Sequence, residues 1–239
     1  MNELPVEILS AGAHTLGLVL SAEQVRQFRV YADMLREWNG KVNLTAITAP
    51  QQIVEKHFLD SLSVLTVLPK EAFSLADIGS GAGFPGLALA IARPDCTVTL
   101  IEATTKKAAF LNAVVESLKL QKVSVVVGRA ETLAHEPKLR ERFDVATARA
   151  VANLVTLVEL TLPFVRVGGR VIAQKMLGSE SLESALPAIE VLGGTYEQEL
   201  AVLLPTLADR RLIVISKRKP TPAEYPRRPG IPAKKPLLA

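Results

Sequence analysis

The sequence predicts an α/β fold: a doubly wound, mostly parallel sheet with an antiparallel closing hairpin and an N-terminal helical cap. Three observations predict it. From residue 73 onward, short strand-like runs alternate with helical segments, the pattern of a parallel sheet covered by helices on both faces. Two strand-like runs near the C-terminus lie too close together for an intervening helix. The first 70 residues instead show helical periodicity.

The composition is that of an ordinary folded protein with an aliphatic core. Hydrophobic residues make up 49% and charged residues 22% of the 239 residues, which excludes a disordered chain, a collagen-like repeat and a coiled coil. No apolar run reaches the roughly 18 to 20 residues of a membrane span, and the start carries an acid where a signal peptide carries bases, so we expect a cytoplasmic protein. The single cysteine and three scattered histidines predict neither a disulfide nor a metal site.

The N-terminal segment reads as two helices. Ser21 and Gln24 fit a capping box, and Gly40 is the expected left-handed cap at the end of the first helix. The residues expected on its buried face are Val25, Phe28, Ala32 and Leu35. A second helical stretch is predicted from about Pro50 to Leu68.

The strands begin at residue 74. Five are predicted to be parallel: Ser74 to Ile78, Thr97 to Glu102, Val123 to Val127, Phe143 to Ala148 and Gly169 to Gln174. Helices are expected to begin near Gly86, Thr105, Ala130 and Asn153. Thr195 to Leu204 and Arg211 to Lys217 should pair antiparallel, a closing hairpin typical of the Rossmann-like class I methyltransferases. The predicted units are 1–70 (cap), 71–217 (core) and 218–239 (tail).

Basic charge is concentrated at the C-terminus. From Lys217 to Ala239 there are seven bases and one acid, Glu224, a net charge of +6, whereas the rest of the chain carries −2. Such a segment suits a polyanion, which makes nucleic acid a candidate partner. Six prolines in the last twenty residues predict an extended segment that becomes ordered on contact.

A glycine-rich loop joins the first strand to the next helix. Gly79, Gly81 and Gly83 let the backbone turn sharply ahead of a helix N-terminus, where a small polar ligand can bind. The segment Gly81 to Gly86 also fits the dinucleotide pattern G-x-G-x-x-G. Asp77 and the closing hairpin favour S-adenosylmethionine, because an acid there can order the loop and face the amino-acid half of that cofactor, and because the second mononucleotide half of a nicotinamide dehydrogenase is missing.

Two further acids lie directly after strands. Glu102 ends the second strand, where a carboxylate can accept hydrogen bonds from ribose hydroxyls. Ala130 and Glu131 come after the third strand and could meet an adenine edge, or Glu131 could simply cap the next helix.

The fourth strand ends at Arg149, at the edge expected to face the acceptor. Neither an Asn/Asp-Pro-Pro-Tyr segment nor a cysteine is present there, so methylation of an exocyclic base amine or of a pyrimidine ring loses support. Arg149 suits a carboxylate, a phosphate or the O6/N7 edge of guanine, and its alternative role is a surface ion pair.

These motifs together resemble the small-subunit ribosomal RNA guanine-N7 methyltransferases, the RsmG/GidB family. The similarity runs over most of the chain. The matching segments are Glu37-Trp38-Asn39, Val42-Asn43-Leu44-Thr45, Lys56-His57-Phe58-Leu59-Asp60-Ser61, Gly79 to Gly86, Arg129-Ala130-Glu131, Thr147-Ala148-Arg149-Ala150 and Tyr225-Pro226-Arg227-Arg228-Pro229-Gly230.

The resemblance implies a substrate and a set of contacts. The substrate is one guanine of 16S rRNA in the small ribosomal subunit. The implied S-adenosylmethionine contacts are Gly79, Phe84, Glu102, Ala103, Thr104, Ala130, Glu131 and Arg149. The family often has aspartate where this chain has Glu102.

The acceptor atom sets the mechanistic expectations. Guanine N7 has an in-plane lone pair and no proton, so methyl transfer needs alignment and no general base. Arg149 is the candidate catalytic residue, positioning the methionine carboxylate or the guanine edge. His57 and Asp60, three residues apart on one helix, are assigned a structural or orienting role.

RNA contacts are assigned to the basic side chains of Lys56, Arg227 and Arg228. Deleting residues 220 to 239 is then expected to weaken RNA binding and spare cofactor affinity. Trp38, Asn39, Asn43 and Thr45 form either a substrate-facing lip or ordinary packing. A monomer is expected. The alternatives are a methyltransferase of a small molecule or protein, a non-catalytic RNA-binding protein and a dehydrogenase.

Overall fold

The computed structural model describes residues 3–149, 152–178 and 182–237, and these contain one seven-stranded sheet in the order β3-β2-β1-β4-β5-β7-β6. The strands are β1 (Ser74–Ile78), β2 (Thr97–Glu102), β3 (Val123–Val127), β4 (Phe143–Arg149), β5 (Val165–Met176), β6 (Gly194–Ala201) and β7 (Arg210–Lys217). The first five strands pair in parallel, and β7 is antiparallel to both β5 and β6. The predicted doubly wound sheet with its closing hairpin is confirmed.

The α-helices of the described residues are α1 (Val6–Thr15), α2 (Ala22–Asn39), α3 (Pro50–Ile53), α4 (Asp60–Ser63), α5 (Gly86–Ala92), α6 (Thr105–Ser117), α7 (Ala130–Leu133), α8 (Leu154–Thr161), α9 (Leu186–Val191) and α10 (Ile231–Lys234). A π-helical turn, Val54–Leu59, joins α3 to α4. The helix expected from Pro50 to Leu68 is therefore a continuous helical segment of mixed geometry. It passes from α3 through the π-helical turn and α4 to a 3-10 turn at Val64–Val67.

The predicted cap helix begins and ends where the sequence indicates, and only the conformation of its C-terminal cap differs. Ser21 accepts a hydrogen bond from the Gln24 amide, and the Gln24 side chain accepts one from the Ser21 amide, so the capping box is confirmed. The prediction of a left-handed cap at Gly40 is wrong. Gly40 has φ −66° and ψ −18°, because the chain continues in a turn in which the amides of Lys41 and Val42 both bond the Trp38 carbonyl.

The helical cap packs directly on one face of the sheet. Phe28, Tyr31 and Phe58 are fully buried, and the Tyr31 ring lies 5.3 Å from the Phe84 ring of the glycine-rich loop. The Tyr31 hydroxyl donates to the Ala82 carbonyl at 2.5 Å. One continuous apolar cluster thus holds the loop from the side of the cap.

The C-terminal segment departs from the prediction. It contains the short helix α10 where only extended chain was expected, and it packs against α7 and α8. Fewer of its basic side chains are exposed than the sequence suggested, since Lys217 is fully buried and Arg227 pairs with the buried Glu159. Of the seven predicted bases, five are exposed: Arg218, Lys219, Arg228, Lys234 and Lys235.

Two features are absent from the described ranges. No helix there is long and apolar enough to cross a membrane. No three acidic, histidine or cysteine side chains in the same ranges lie close enough together to hold a metal ion. The division into units 1–70, 71–217 and 218–239 stays a prediction.

Candidate functional site

The glycine-rich loop leaves β1 and enters α5 through three left-handed residues. Gly79, Gly81 and Gly83 have φ values of +70°, +57° and +94°, which residues other than glycine rarely adopt. A Cβ at Gly83 would also lie 2.5 Å from the Tyr31 hydroxyl. Gly79 is exposed and Gly81 is half-buried, which leaves their backbone accessible, whereas Gly83 is buried against Tyr31.

Asp77 lies beneath this loop with one carboxylate oxygen unsatisfied. Its Oδ2 accepts from the Gly86 amide at 3.0 Å, whereas its Oδ1 is buried without a hydrogen-bond partner. Burial raises the pKa of Asp77 to about 7, although the Gly86 amide works in the opposite direction. A buried, half-satisfied carboxyl group is suited to a cationic ligand at this edge.

Glu102 joins two segments around the same crevice. Its Oε2 accepts from the Gly81 amide at 2.9 Å, and its Oε1 accepts from the Thr104 amide at 2.7 Å. A carboxylate has about four lone-pair positions, so two remain for the hydroxyls of a ribose. Ala103 and Thr104 are exposed directly before α6, where they line the approach to Glu102.

Glu131 makes no capping hydrogen bond to α7, and its contact with an adenine edge stays a prediction. Its Oε1 accepts from the Gly230 amide of the C-terminal segment at 2.9 Å, and the side chain is buried. Ala130 is half-buried at the first position of α7. The carboxylate thus holds another part of the chain beside the carboxyl end of β3, where the Gly128 amide donates to the Glu102 carbonyl at 3.0 Å.

Arg149 stands at the end of β4 inside a cluster of polar groups. One of its terminal nitrogens donates to the Lys56 carbonyl at 3.0 Å and to Asp60 Oδ2 at 2.9 Å. The other donates to His57 Nδ1 at 3.1 Å. The guanidinium carbon lies 4.8 Å from the centre of the Phe84 ring, which makes a cation–π contact.

His57 is fixed as a neutral ring by these neighbours. Because arginine can only donate, Nδ1 accepts, and Nε2 carries the proton toward the Thr45 hydroxyl at 2.8 Å. Burial, and to a lesser extent the Arg149 charge, lowers the pKa of His57 to about 3. The ring also stacks on Phe84 at a centroid distance of 4.4 Å. Both ring nitrogens are engaged, so His57 is poorly placed to accept a proton.

The Asp60 carboxylate pairs with Arg149 and not with His57, so Asp60 and His57 do not form a direct histidine–carboxylate pair. Its Oδ1 lies 3.5 Å from Arg210 Nε without hydrogen-bond geometry, and the Gln174 amide donates to its backbone carbonyl at 2.8 Å. The π-helical turn brings the Lys56 carbonyl, His57 and Asp60 onto one guanidinium.

The sequence missed two residues of this cluster. Gln174 lies beside Arg149 in the pairing of β4 with β5, and Arg210 begins β7. Only the sheet order could have indicated either residue. Asn39 turns the chain by binding the Leu44 and Thr45 amides, and Trp38 packs 5.7 Å from Phe110. Ala150 of the Thr147-Ala148-Arg149-Ala150 segment lies outside the described residues.

The three expected phosphate contacts differ in their surroundings. Lys56 and Arg228 have exposed side chains. Arg227 makes two hydrogen bonds to Glu159, at 2.9 and 2.7 Å, and a third to the Lys235 carbonyl. Arg227 is therefore held inside the fold, while its neighbour faces solvent.

Phe84 brings the two halves of the site together. Its ring contacts both Arg149 and His57, and the loop that carries it is bound to Asp77 and Glu102. All these groups lie at the carboxyl ends of parallel strands, the edge where doubly wound sheets bind ligands. The arrangement can hold a cation-bearing nucleoside on one side and a polar acceptor beside Arg149 on the other.

Solved structures of other proteins share this fold. Methanococcus jannaschii TYW2, in complex with AdoMet, aligns with a TM-score of 0.54 and 15% identity over 73% of this chain and 80% of that one. The M. jannaschii fibrillarin pre-rRNA processing protein gives 0.52 and 17% over 64% and 70%. At these identities the likeness establishes the class I methyltransferase fold alone.

Sequence relatives are much closer. A protein named ribosomal RNA small subunit methyltransferase G from Acetivibrio thermocellus is 44% identical over 232 residues, 97% of this chain and 96% of the relative. Its namesake from Roseiflexus castenholzii is 49% identical over 229 residues, 95% and 97% of the two chains. The family model GidB, described as rRNA small subunit methyltransferase G, matches residues 24–195. With the sheet order and the glycine-rich loop, these matches show that the chain belongs to the GidB family of small-subunit rRNA methyltransferases.

Proposed function

We propose that the protein transfers a methyl group from S-adenosylmethionine to N7 of one guanine in 16S rRNA of the small ribosomal subunit. The observation that carries the proposal is the acceptor side of the site, which combines a fixed arginine with a histidine that cannot act as a base. Family membership supports the substrate class. We place the reaction in the cytoplasm, where the rRNA substrate is found.

The residues on the loop side fit the cofactor. Asp77 would face the amino-acid half, because its buried Oδ1 lacks a partner and a cationic ammonium would supply one. Glu102 would receive the ribose hydroxyls, and Gly79, Gly81, Gly83 and Phe84 would form the wall of the crevice. S-adenosylmethionine supplies a methyl group made electrophilic by the sulfonium. Ala103, Thr104, Ala130 and Glu131 are proposed at its adenosine end.

Among the described residues of the acceptor side, His57 is poorly suited to remove a proton. The pKa of His57 is lowered to about 3 by burial, and both of its nitrogens have hydrogen-bond partners. Guanine N7 presents a lone pair without a proton, so the acceptor and the site agree. An exocyclic amine or a protein lysine would instead lose a proton during the reaction.

Arg149 would position the reacting groups. Asp60, the Lys56 carbonyl and His57 hold its guanidinium in one plane above Phe84, which leaves little freedom to reorganise during methyl transfer. A fixed fork of donors can bind the methionine carboxylate or the O6/N7 edge of guanine.

RNA would reach the site over exposed bases. Lys56, whose carbonyl binds Arg149, is the proposed contact beside the acceptor, and Arg228 is a second on the C-terminal segment. The Arg227 guanidinium is already bound to the Glu159 carboxylate, so a phosphate would bind to Arg227 in addition to that carboxylate. We propose that the protein acts as a monomer.

The test is transfer of a labelled methyl group to small subunits, and to deproteinised rRNA, from cells lacking the enzyme. Cleavage specific for N7-methylguanine should then map to one position. Label in protein or in a small molecule, or no label with either substrate, would contradict the proposal. The dehydrogenase alternative is tested by titration with NADH, which we expect not to bind.

A further inference from the structure

The C-terminal segment is bound to the part of the fold that borders the adenosine end of the crevice. The Gly230 amide donates to Glu131 Oε1 at 2.9 Å, across 99 residues of sequence. Gly230 has a φ of +80° at the N-cap of α10, a conformation that suits glycine. The buried Glu131 carboxylate is therefore bound by the chain terminus, although the sequence assigned it to the cofactor.

The C-terminal segment is also bound on both sides of Gly230, at Arg227 and at Pro232. Glu159 of α8 is completely buried, and it accepts from the Arg227 amide at 2.8 Å as well as from the Arg227 guanidinium. Thr156, one turn earlier on α8, donates to the Pro232 carbonyl at 3.0 Å. These contacts fix the chain on both sides of Gly230, so its amide is presented to Glu131 in one orientation.

Further contacts tie the chain after α7 to the same segment. The guanidinium of Arg140 donates to the carbonyls of Thr221, Pro222 and Tyr225 at 2.8 to 3.1 Å. His135 Nε2 lies 2.8 Å from the Pro226 carbonyl. The segment that begins at Ala130 is thus bound to the C-terminus at several points, whereas α7 itself has only four residues and little helical stability of its own.

From these contacts we infer that residues 227–232 are part of the cofactor site, and that Glu131 is a positioning residue that acts through Gly230 to hold the α7 backbone against the adenosine end. The inference rests on the proposed function for the identity of the ligand. It reverses the sequence-based expectation that losing residues 220 to 239 spares cofactor affinity. The C-terminus then serves the cofactor as well as any RNA.

The test is a double-mutant cycle on S-adenosylmethionine affinity, measured by calorimetry on the full chain. Glu131→Ala and a deletion of residues 230–239 each remove the same hydrogen bond, so each should weaken binding about tenfold, and the combination should also weaken it about tenfold. Glu131→Gln keeps an acceptor oxygen and should restore affinity to within about twofold. Deletion of residues 238 and 239 keeps both Gly230 and the buried Leu237, and it is the matched control.

A readout without cofactor separates this inference from the proposed function. Amide hydrogen exchange at residues 130–133 should be faster in Glu131→Ala and in the 230–239 deletion than in the parent and the two controls. If the parent fails to bind S-adenosylmethionine, the proposed function fails, and this exchange pattern still decides whether Glu131 is held by Gly230.

Two results would overturn the inference. In the first, the 230–239 deletion leaves cofactor affinity within twofold while Glu131→Ala weakens it tenfold, which would mean that Glu131 contacts the ligand directly. In the second, the two changes multiply to about a hundredfold, which would make them independent. If the deletion does not fold, unchanged hydrogen exchange in Glu131→Ala is the overturning result.

Discussion

Two buried aspartates, Asp77 and Asp60, differ in what compensates their charge. Asp60 meets the guanidinium of Arg149 at 2.9 Å, and Arg210 lies nearby. The Asp77 carboxylate meets one backbone amide and leaves its Oδ1 without a partner. Both side chains are at most 1% exposed, so water relieves neither.

The difference separates two kinds of site. Around Asp60 the positive charge of Arg149 is part of the protein, although Asp60 Oδ1, like Asp77 Oδ1, has no hydrogen-bond partner among the described residues. Around Asp77 the compensating cation is missing, and the pKa is raised by burial to about 7. In the proposed function, the acceptor half is therefore preorganised, whereas the cofactor half would gain a partner for Asp77 on binding.

The largest effect should come from removing the cation of the preorganised half. Arg149→Ala should lower kcat/KM for methyl transfer about a thousandfold, about 4 kcal/mol, because the reacting groups lose their fixed donor. The change also leaves Asp60 buried and unpaired, which destabilises the fold. The double variant Arg149→Ala with Asp60→Asn relieves that charge and should regain thermal stability without activity. Activity within twofold of the parent in a folded variant would disprove this role of Arg149.

A second buried acid extends the comparison to stability. Arg227→Met should cost about 3 kcal/mol in the free energy of unfolding, because Glu159 stays buried without its cation. Its neighbour offers a matched control: Arg228→Met should change stability by less than about 0.5 kcal/mol. That control should instead reduce the salt dependence of RNA binding by about 0.7 in log–log slope. Equal stability of the two variants in urea would contradict the prediction.

The smallest effect is expected at the aspartate without a cation. Asp77→Asn should weaken S-adenosylmethionine binding about tenfold at pH 8, about 1.4 kcal/mol, and less at pH 6. In the parent, affinity should rise with pH through about 7 as the carboxylate forms, and calorimetry across that range would show it. A parent affinity that is flat between pH 6 and 8 would contradict the prediction.

Asp77→Asn should have the opposite effect on the stability of the ligand-free protein, because protonation of Asp77 and folding are linked. The folded pKa of Asp77 lies above its usual value of 3.8, so the folded state holds a proton that the unfolded state releases. Stability from this group is complete below about pH 4 and is lost as pH rises through about 7. Asp77→Asn should therefore raise the Tm at pH 8, by about 2–4 °C for each kcal/mol recovered, and should raise it less at pH 5.

The sequence predicted best what depends on neighbours along the chain. β1, β2 and β3 match their predicted bounds. β-branched runs carry the strand signal in β2 and β3, whereas β1 is a short, mostly apolar run that ends at the glycine-rich loop. Asp77 and its loop were also identified, since both belong to one strand-to-helix connection. β5 extends four residues further toward its N-terminus than predicted, because Val165 pairs with Phe143 ahead of an irregular register.

Contacts between distant segments could not be predicted in the same way. Arg149 and Asp60 are 89 residues apart, and Arg227 and Glu159 are 68 apart. A sequence shows that Arg227 and Arg228 are both basic, but only the packing of α8 decides which of them turns inward. Likewise, Lys217 reads as a surface base, yet its ammonium is buried against the carbonyls of Leu162 and Leu192 and the carboxylate of Glu141.

The π-helical turn at Val54–Leu59 also constrains how this gene can vary. It holds about one residue more per turn than the α-helices around it, so deleting a residue there would restore regular α-helical geometry and keep α3 and α4 in register. The Lys56 carbonyl and His57, which lie inside the turn, would then lose the positions in which they meet the guanidinium of Arg149. Insertions and deletions between these two helices should therefore be selected against, even where the side chains themselves are exposed and tolerate exchange.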